Sequence, residues 1–252
     1  MKKIVFDLDG TICFSGKPLS PAMVQALASL EGQGFELIFA SARPIRDLLP
    51  ILPVHMHHYP MIGGNGAFVA SEGRILATSP FDQVTLGRLI RLIVKYEAEY
   101  LMDGEWDYAY TGDDTHPIRR NLDPDRKARN LPYEQLNAIV KMVVLRSLDS
   151  RQLLGELHKL PVVTYMHGSE DIIDISPRGT SKWKGLQALG VRPQEFIAFG
   201  NDANDIPMFQ QADHSICVGD HPELKRIATE QVVSLEEKVI EKIGGLVSSF
   251  NR

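Results

Sequence analysis

Two aspartates stand one residue apart in Asp7-Leu8-Asp9-Gly10-Thr11, directly after the apolar run Ile4-Val5-Phe6. In extended backbone, side chains at i and i+2 point the same way, and the glycine lets the chain turn sharply behind them. Two crowded carboxylates are costly unless a cation neutralises them or one keeps its proton. A hard divalent cation held by carboxylate oxygens removes that cost, and magnesium suits a site that must also hold a phosphate. One carboxylate is then free to attack phosphorus, while its neighbour protonates the leaving oxygen and later activates water. Alone, an Asp-x-Asp beside a turn is usually a solvated loop or a helix cap. Its place at the end of a buried strand is what favours chemistry.

The surrounding elements must position such a pair. Ile4-Val5-Phe6 reads as a buried strand with polar groups at its carboxyl end. A helix follows from about Ser20 to Gly32, with Ser20 as N-cap and Pro21 in the first helical position. A second apolar run, Phe35 to Ala40, ends in Ser41-Ala42-Arg43-Pro44. A short helix over Pro44 to Leu49 and the run Met61-Ile62 then lead to the turn Gly63-Gly64-Asn65-Gly66. Alternating strands and helices, with polar residues just after strands, indicate a doubly wound parallel α/β sheet with its site at the strand carboxyl ends. After about Pro80 the pattern changes. Residues 83–101 read as one amphipathic helix, with Leu86, Leu89, Ile90, Ile93 and Val94 on one face. A turn-rich stretch runs through Pro132, then come a strand from Ala138 to Arg146, a helix from Asp149 to Lys159 and a strand from Val162 to Met166. From Asp171 the first style is expected to return, with a strand over Ile172 to Ile175, a helix over Thr180 to Leu189 and the run Phe196 to Phe199. The expected design is a discontinuous core, residues 1–80 and 175–252, interrupted by an α+β cap over 81–174.

Asp7-Leu8-Asp9-Gly10-Thr11 resembles the first motif of the haloacid dehalogenase superfamily, and three further motifs follow in order. They are Ser41 at a strand end, Lys182 after Pro177-Arg178-Gly179-Thr180-Ser181, and the acidic loop Gly200 to Asp205. Asn65-Gly66-Ala67 and the segment Gly179-Thr180-Ser181-Lys182 are similar to the Cof-like subfamily, which carries a large α+β (type IIB) cap on a Rossmann-like core. The resemblance implies roles. Asp7 is the nucleophile and a magnesium ligand; Asp9 is the general acid/base, with its backbone carbonyl on the metal. Ser41 donates to the phosphoryl oxygens, and Lys182 stabilises the charge that grows on them. Arg43 and Asn65 are further candidates for the substrate. The fourth motif departs from the family pattern, in which Asp follows the glycine: here Asn201 stands there, with Asp202 one place later. Asn offers a carbonyl oxygen but no charge. Either Asn201 ligates the metal with Asp205 behind it, or Asp202 takes over; the spacing of Asn204-Asp205 from Gly200 favours Asn201.

Composition narrows the rest. The chain has 252 residues, 44% hydrophobic and 23% charged, with a net charge of -5 that gives no general attraction to nucleic acid or anionic lipid. No apolar run approaches the ~18 residues of a membrane span, so the expectation is a cytoplasmic enzyme without membrane or nucleic-acid partners. Cys13 and Cys217 lack metal-ligand spacing and read as reduced thiols. His55, His57 and His58 read as a solvated loop between prolines, and the basic stretch Arg119, Arg120, Arg126, Lys127 and Arg129 as a charged cap surface. Trp106 and Trp183 read as packing residues. The implied reaction is hydrolysis of a small phosphorylated metabolite, a sugar phosphate above all, through an aspartyl-phosphate. A sugar phosphomutase is the alternative, and a non-catalytic binding protein on the same scaffold is a weaker one.

Overall fold

The computed structural model describes residues 2–14, 16–166 and 172–250, with side chains through residue 246 at the C-terminus. Among these described residues, thirteen strands form two sheets. The strands are β1 Lys3–Phe6, β2 Glu36–Ala40, β3 Met61–Gly63, β4 Phe68–Ser71, β5 Arg74–Thr78, β6 Glu99–Asp103 and β7 Tyr108–Tyr110. They continue with β8 Lys141–Arg146, β9 Val162–Met166, β10 Ile173–Pro177, β11 Phe196–Gly200, β12 His214–Val218 and β13 Glu230–Val232. The larger sheet runs β13-β12-β11-β1-β2-β3-β4-β5. Its first six members are parallel, and β4 and β5 close one edge as an antiparallel hairpin. After β1 the chain moves outward to one side through β2 and β3, and later to the other side through β11, β12 and β13. The order therefore reverses beside β1, and a doubly wound sheet opens its crevice at such a point.

The pleat sorts the core. Ile4 and Phe6 of β1, Leu37 and Phe39 of β2, and Ile197 and Phe199 of β11 pack on one face. That face is covered by helices α1 (Pro21–Gly32) and α8 (Glu236–Phe250). Val5, Ile38, Ala40, Phe196 and Ala198 pack on the other, under α5 (Lys182–Ala188), α6 (Ile206–Phe209) and α7 (Pro222–Ile227). Continuous apolar strands, buried on both faces, are what a parallel sheet requires. Ser20 caps α1 as expected, its hydroxyl accepting from Met23 N–H at 3.1 Å, with Pro21 next. Trp183 stacks on Phe196 at 5.9 Å, a packing role.

The smaller sheet runs β7-β6-β8-β10-β9 and is antiparallel throughout. Helices α3 (Gln83–Lys95) and α4 (Ser150–Leu157) pack on one of its faces around Leu89, Ile93, Met142 and Leu153. Two expectations are corrected here. The helix over 83–101 stops at Lys95; Glu97 takes a left-handed φ of 45° and the chain re-enters as β6. No glycine or proline marks that stop. Pairing with β8 decides it, a tertiary preference overriding a helical pattern. The strand near Ile172 to Ile175 does not resume the parallel sheet: β10 lies between β8 and β9. A division between residues 174 and 175 thus falls inside a strand of the second sheet. Asp171, the expected point of return, lies outside the described residues. Among those residues no helix is long and apolar enough to cross a membrane.

Candidate functional site

The carboxyl ends of β1, β2 and β11 meet where the strand order reverses, and the polar residues after them form one cluster. Asp7 continues the parity of Val5 and so faces the side of the sheet covered by α5. Lys182 opens α5, and its buried Nζ donates to Asp7 Oδ1 at 2.6 Å and to Asp205 Oδ1 at 2.6 Å. Thr11, also buried, donates from Oγ1 to Asp7 Oδ2 at 2.8 Å. Both oxygens of Asp7 are therefore fixed in direction. One ammonium serves two buried carboxylates, which leaves the group short of positive charge. Burial pushes the Asp7 carboxyl up to about 7, against the pull of Lys182. Burial alone would lower Lys182, but Asp205 and Asp7 hold its ammonium well above the usual range.

Asp205 also shapes the loop after β11. Its Oδ2 accepts from Asn201 N–H at 2.9 Å and Asp202 N–H at 3.1 Å. Both of its oxygens are thus engaged, so it braces the loop from behind. Asp202 accepts from Ala203 N–H at 2.7 Å and forms a capping box with Asp205. Asn201 lies against the first motif, its Oδ1 3.4 Å from Thr11 Oγ1. Gly10, at φ 80°, has no room for a side chain: a Cβ there would sit 2.1 Å from Asn201 Nδ2. Of the two open candidates, Asn201 is the one that meets Thr11, whose hydroxyl is bonded to Asp7. Among the described residues no three His, Cys, Asp or Glu side chains gather as a metal cluster. The oxygens available here are of another kind: one carboxylate, the Asn201 amide and the Asp9 carbonyl, all hard donors that fit magnesium.

Asp9 and Arg43 form a second group. The Arg43 guanidinium grips the Asp9 carboxylate with two bonds, Nε to Oδ2 at 2.7 Å and Nη2 to Oδ1 at 2.6 Å. The Asp9 side chain is 46% exposed, on the wall of a cavity of about 320 Å³ between the two sheets. Ser41 is buried and accepts from Arg43 N–H at 3.0 Å, which leaves its hydroxyl proton to donate elsewhere. Asn65 is held by side chains from two distant segments. Buried at φ 57°, it accepts from Asn204 Nδ2 at 2.9 Å and donates to Asp174 Oδ2 at 3.4 Å. It joins the loops after β3 and β11 to β10 of the second sheet.

Other polar contacts across the two sheets escape sequence reasoning. Arg46 in α2 (Ile45–Leu48) is buried, doubly bonded to Asp47, and reaches Asp103 Oδ1 at 2.8 Å and the Trp106 carbonyl at 2.8 Å. Its guanidinium also lies over the Tyr108 ring at 4.8 Å. Asp47 accepts from Asp123 N–H at 2.9 Å. Lys141 bonds Asp174 at 2.7 Å and the Ala42 carbonyl at 2.6 Å. The usable signal was Arg46-Asp47 on a helix just after the second motif, but pairing partners 57 and 76 residues away leave no local trace. The remaining residues take structural places. His57 Nε2 meets the Leu52 carbonyl at 3.0 Å, Arg119, Lys127 and Arg129 pair with Asp114, Asp125 and Asp107, and Cys13 and Cys217 are buried thiols.

Known proteins resemble this chain in sequence and in fold. A family model described as haloacid dehalogenase-like hydrolase matches residues 4–243. The pyridoxal phosphate phosphatase of Escherichia coli K12 is 26% identical over 237 residues, spanning 86% of this chain and 87% of its own. The 5-amino-6-(5-phospho-D-ribitylamino)uracil phosphatase of Bacillus subtilis 168 is 25% identical over 253 residues, 93% of each chain. A solved subclass IIB sugar phosphatase superimposes with a TM-score of 0.80 at 16% identity, covering 98% of this chain and 99% of its own, a likeness of fold.

Proposed function

The chain belongs to the haloacid dehalogenase-like hydrolases and is a phosphatase of that family, and on that footing we propose that it hydrolyses small phosphomonoesters through attack by Asp7. The observation that carries this reading is the fixing of both Asp7 oxygens, by Lys182 and Thr11, at the point where the strand order reverses. A nucleophile so held has one open direction and little reorganisation to make. In the first step an Asp7 oxygen bonds to phosphorus and the ester P–O bond breaks, Asp9 giving its proton to the leaving alkoxide. In the second, water attacks phosphorus, Asp9 takes the proton, and the P–O bond to Asp7 breaks to release inorganic phosphate. Lys182 and the Ser41 hydroxyl offset the charge on the phosphoryl oxygens.

Asp7, the Asp9 carbonyl and Asn201 would hold magnesium, with Asp205 bracing the loop; the cation would supply the positive charge that two carboxylates around one lysine lack. The upward displacement of Asp7 to about 7 supports that need. Arg43 engages Asp9 as a carboxylate, the form that takes a proton from water. An arriving phosphate monoanion competes for that guanidinium and passes its proton to the freed Asp9 carboxylate, which then gives it to the leaving alkoxide. The five-stranded unit acts as the cap that covers the leaving group and excludes water. The relatives' named substrates are small monoesters, and a sugar phosphate is a third such class. The test is hydrolysis of p-nitrophenyl phosphate with magnesium, then with chelator, then with magnesium restored. Turnover that follows the metal is expected; no turnover, or turnover indifferent to chelation, overturns the reading.

A further inference from the structure

A second cavity, of about 420 Å³, lies beside the one that holds Asp9, and Arg43 and Asn121 border both. Lys17, in the loop after β1, lines it from the eight-stranded unit; Arg120 and Asp125, in the loop after β7, line it from the five-stranded unit. The two units come close here. A Cβ on Gly16 would lie 3.3 Å from Asn121 Oδ1 and 3.7 Å from Arg43 Nη2. The charges around this cavity do not balance. Asp125 is the acid on its lining among the described residues, and Lys127 already holds that carboxylate at 2.8 Å. Arg43 spends Nε and Nη2 on Asp9 and keeps the N–H pair of Nη1. Arg119 and Arg129 nearby in sequence are matched by Asp114 and Asp107, and the unpaired Arg126 lines a different hollow. Lys17 and Arg120 have neither ion pair nor side-chain hydrogen bond among the described residues, and the Asn121 amide is equally uncommitted there. Unmatched cations and unspent N–H donors around one cavity complement an oxyanion.

We propose that Lys17, Arg120 and Asn121 form a second oxyanion site, separate from the place of the reacting phosphate, whose ligand bridges the two units. The ligand is a carboxylate or a phosphate. It arrives either at the far end of the substrate's leaving alcohol or as free inorganic phosphate. Because Lys17 and Arg120 stand on different units, an anion between them holds the loop after β7 against the loop after β1, beside the wall that carries Asp9 and Arg43. The site goes beyond the phosphatase reading and rests on it for its effect on turnover. Both cations are exposed, so each contributes modestly and the effect is screened by salt.

The experiment gives the magnesium-loaded enzyme two matched pairs of esters: 6-phosphogluconate with sorbitol 6-phosphate, and 3-phosphoglycerate with glycerol 3-phosphate. Within each pair a carboxylate replaces a terminal CH2OH and the rest of the chain is kept. If the anion belongs to the substrate, the acid of at least one pair should lead in kcat/KM by ~5–20-fold, through KM, and the lead should shrink as ionic strength rises. In the double variant Lys17→Met, Arg120→Met the lead should vanish while p-nitrophenyl phosphate is turned over at the parental rate. If the anion is free phosphate, neither acid leads. Inorganic phosphate should then change p-nitrophenyl phosphate turnover in a competitive and a non-competitive phase, and the double variant should keep only the first. A lead that survives the double variant overturns the site. So does the absence of any lead together with purely competitive phosphate inhibition, equal in parent and variant; either result leaves the phosphatase reading standing. Hydrolysis of none of these esters by the parent overturns both.

Discussion

At the scale of residues, the site is a problem of charge. Asp7 and Asp205 share Lys182, and burial first, with the Asp205 charge adding to it, displaces the Asp7 carboxyl upward from 3.8 to about 7. The sign follows: a raised folded-state value means the protonated form is favoured on folding, so this group's contribution is full below pH 4 and is lost as pH rises through about 7. Magnesium should reverse that by displacing the proton. Calorimetry at pH 6.5 in buffers of different ionisation enthalpy should therefore record proton release on magnesium binding, absent in Asp7→Asn. Equal release in both would place the proton elsewhere. Asp9→Asn removes the acid and base but keeps the backbone carbonyl. Its kcat on an alkyl phosphate should fall ~10²–10⁴-fold, and less on p-nitrophenyl phosphate, whose leaving oxygen hardly needs a proton. Equal losses on both esters would remove Asp9 from the acid role.

At the scale of elements, legibility in the sequence tracks locality. Asp7 after a buried strand, Ser20 and Pro21 opening a helix, and the parallel sheet itself were readable because each rests on neighbours in the chain. What could not be read was decided between distant segments: the stop of α3 at Lys95 by pairing with β8, the membership of β10 by its neighbours β8 and β9, and the strut role of Asn65 by Asn204 and Asp174. Lys182 lies 175 residues from Asp7, and only the motif order linked them. One glycine shows how an element places a side chain. Gly66 has φ 103°, and a Cβ there would lie 2.0 Å from the Ser181 carbonyl oxygen, immediately before Lys182. Gly66→Ala must push the start of α5 away. It should cost ~2–4 kcal/mol by denaturant titration and lower kcat as well as stability. A variant with parental stability would contradict the close approach.

At the scale of the molecule, a small sheet is tied onto a large one through buried charge. Arg46 joins Asp47 on its own helix to Asp103 and the Trp106 carbonyl on the other unit, while Asp47 holds Asp123 N–H. Removing the arginine leaves two buried carboxylates uncompensated, so Arg46→Ala should lose ~3–5 kcal/mol. Asp103→Ala should be partly rescued in that background, since the stranded acid is gone. Strict additivity of the two substitutions would show that no coupling passes through this pair. The same bridge ties together the two sides of the cavity that Asp9 and Arg43 line.

All of this depends on Asp7 as the atom that attacks. The direct measurement is kcat of Asp7→Asn on p-nitrophenyl phosphate at saturating magnesium, with folding verified by circular dichroism. The isosteric amide keeps the Thr11 and Lys182 surroundings nearly in shape but is no nucleophile. A loss of at least ~10³-fold in a folded protein is predicted; turnover at the parental rate would contradict a covalent role for Asp7.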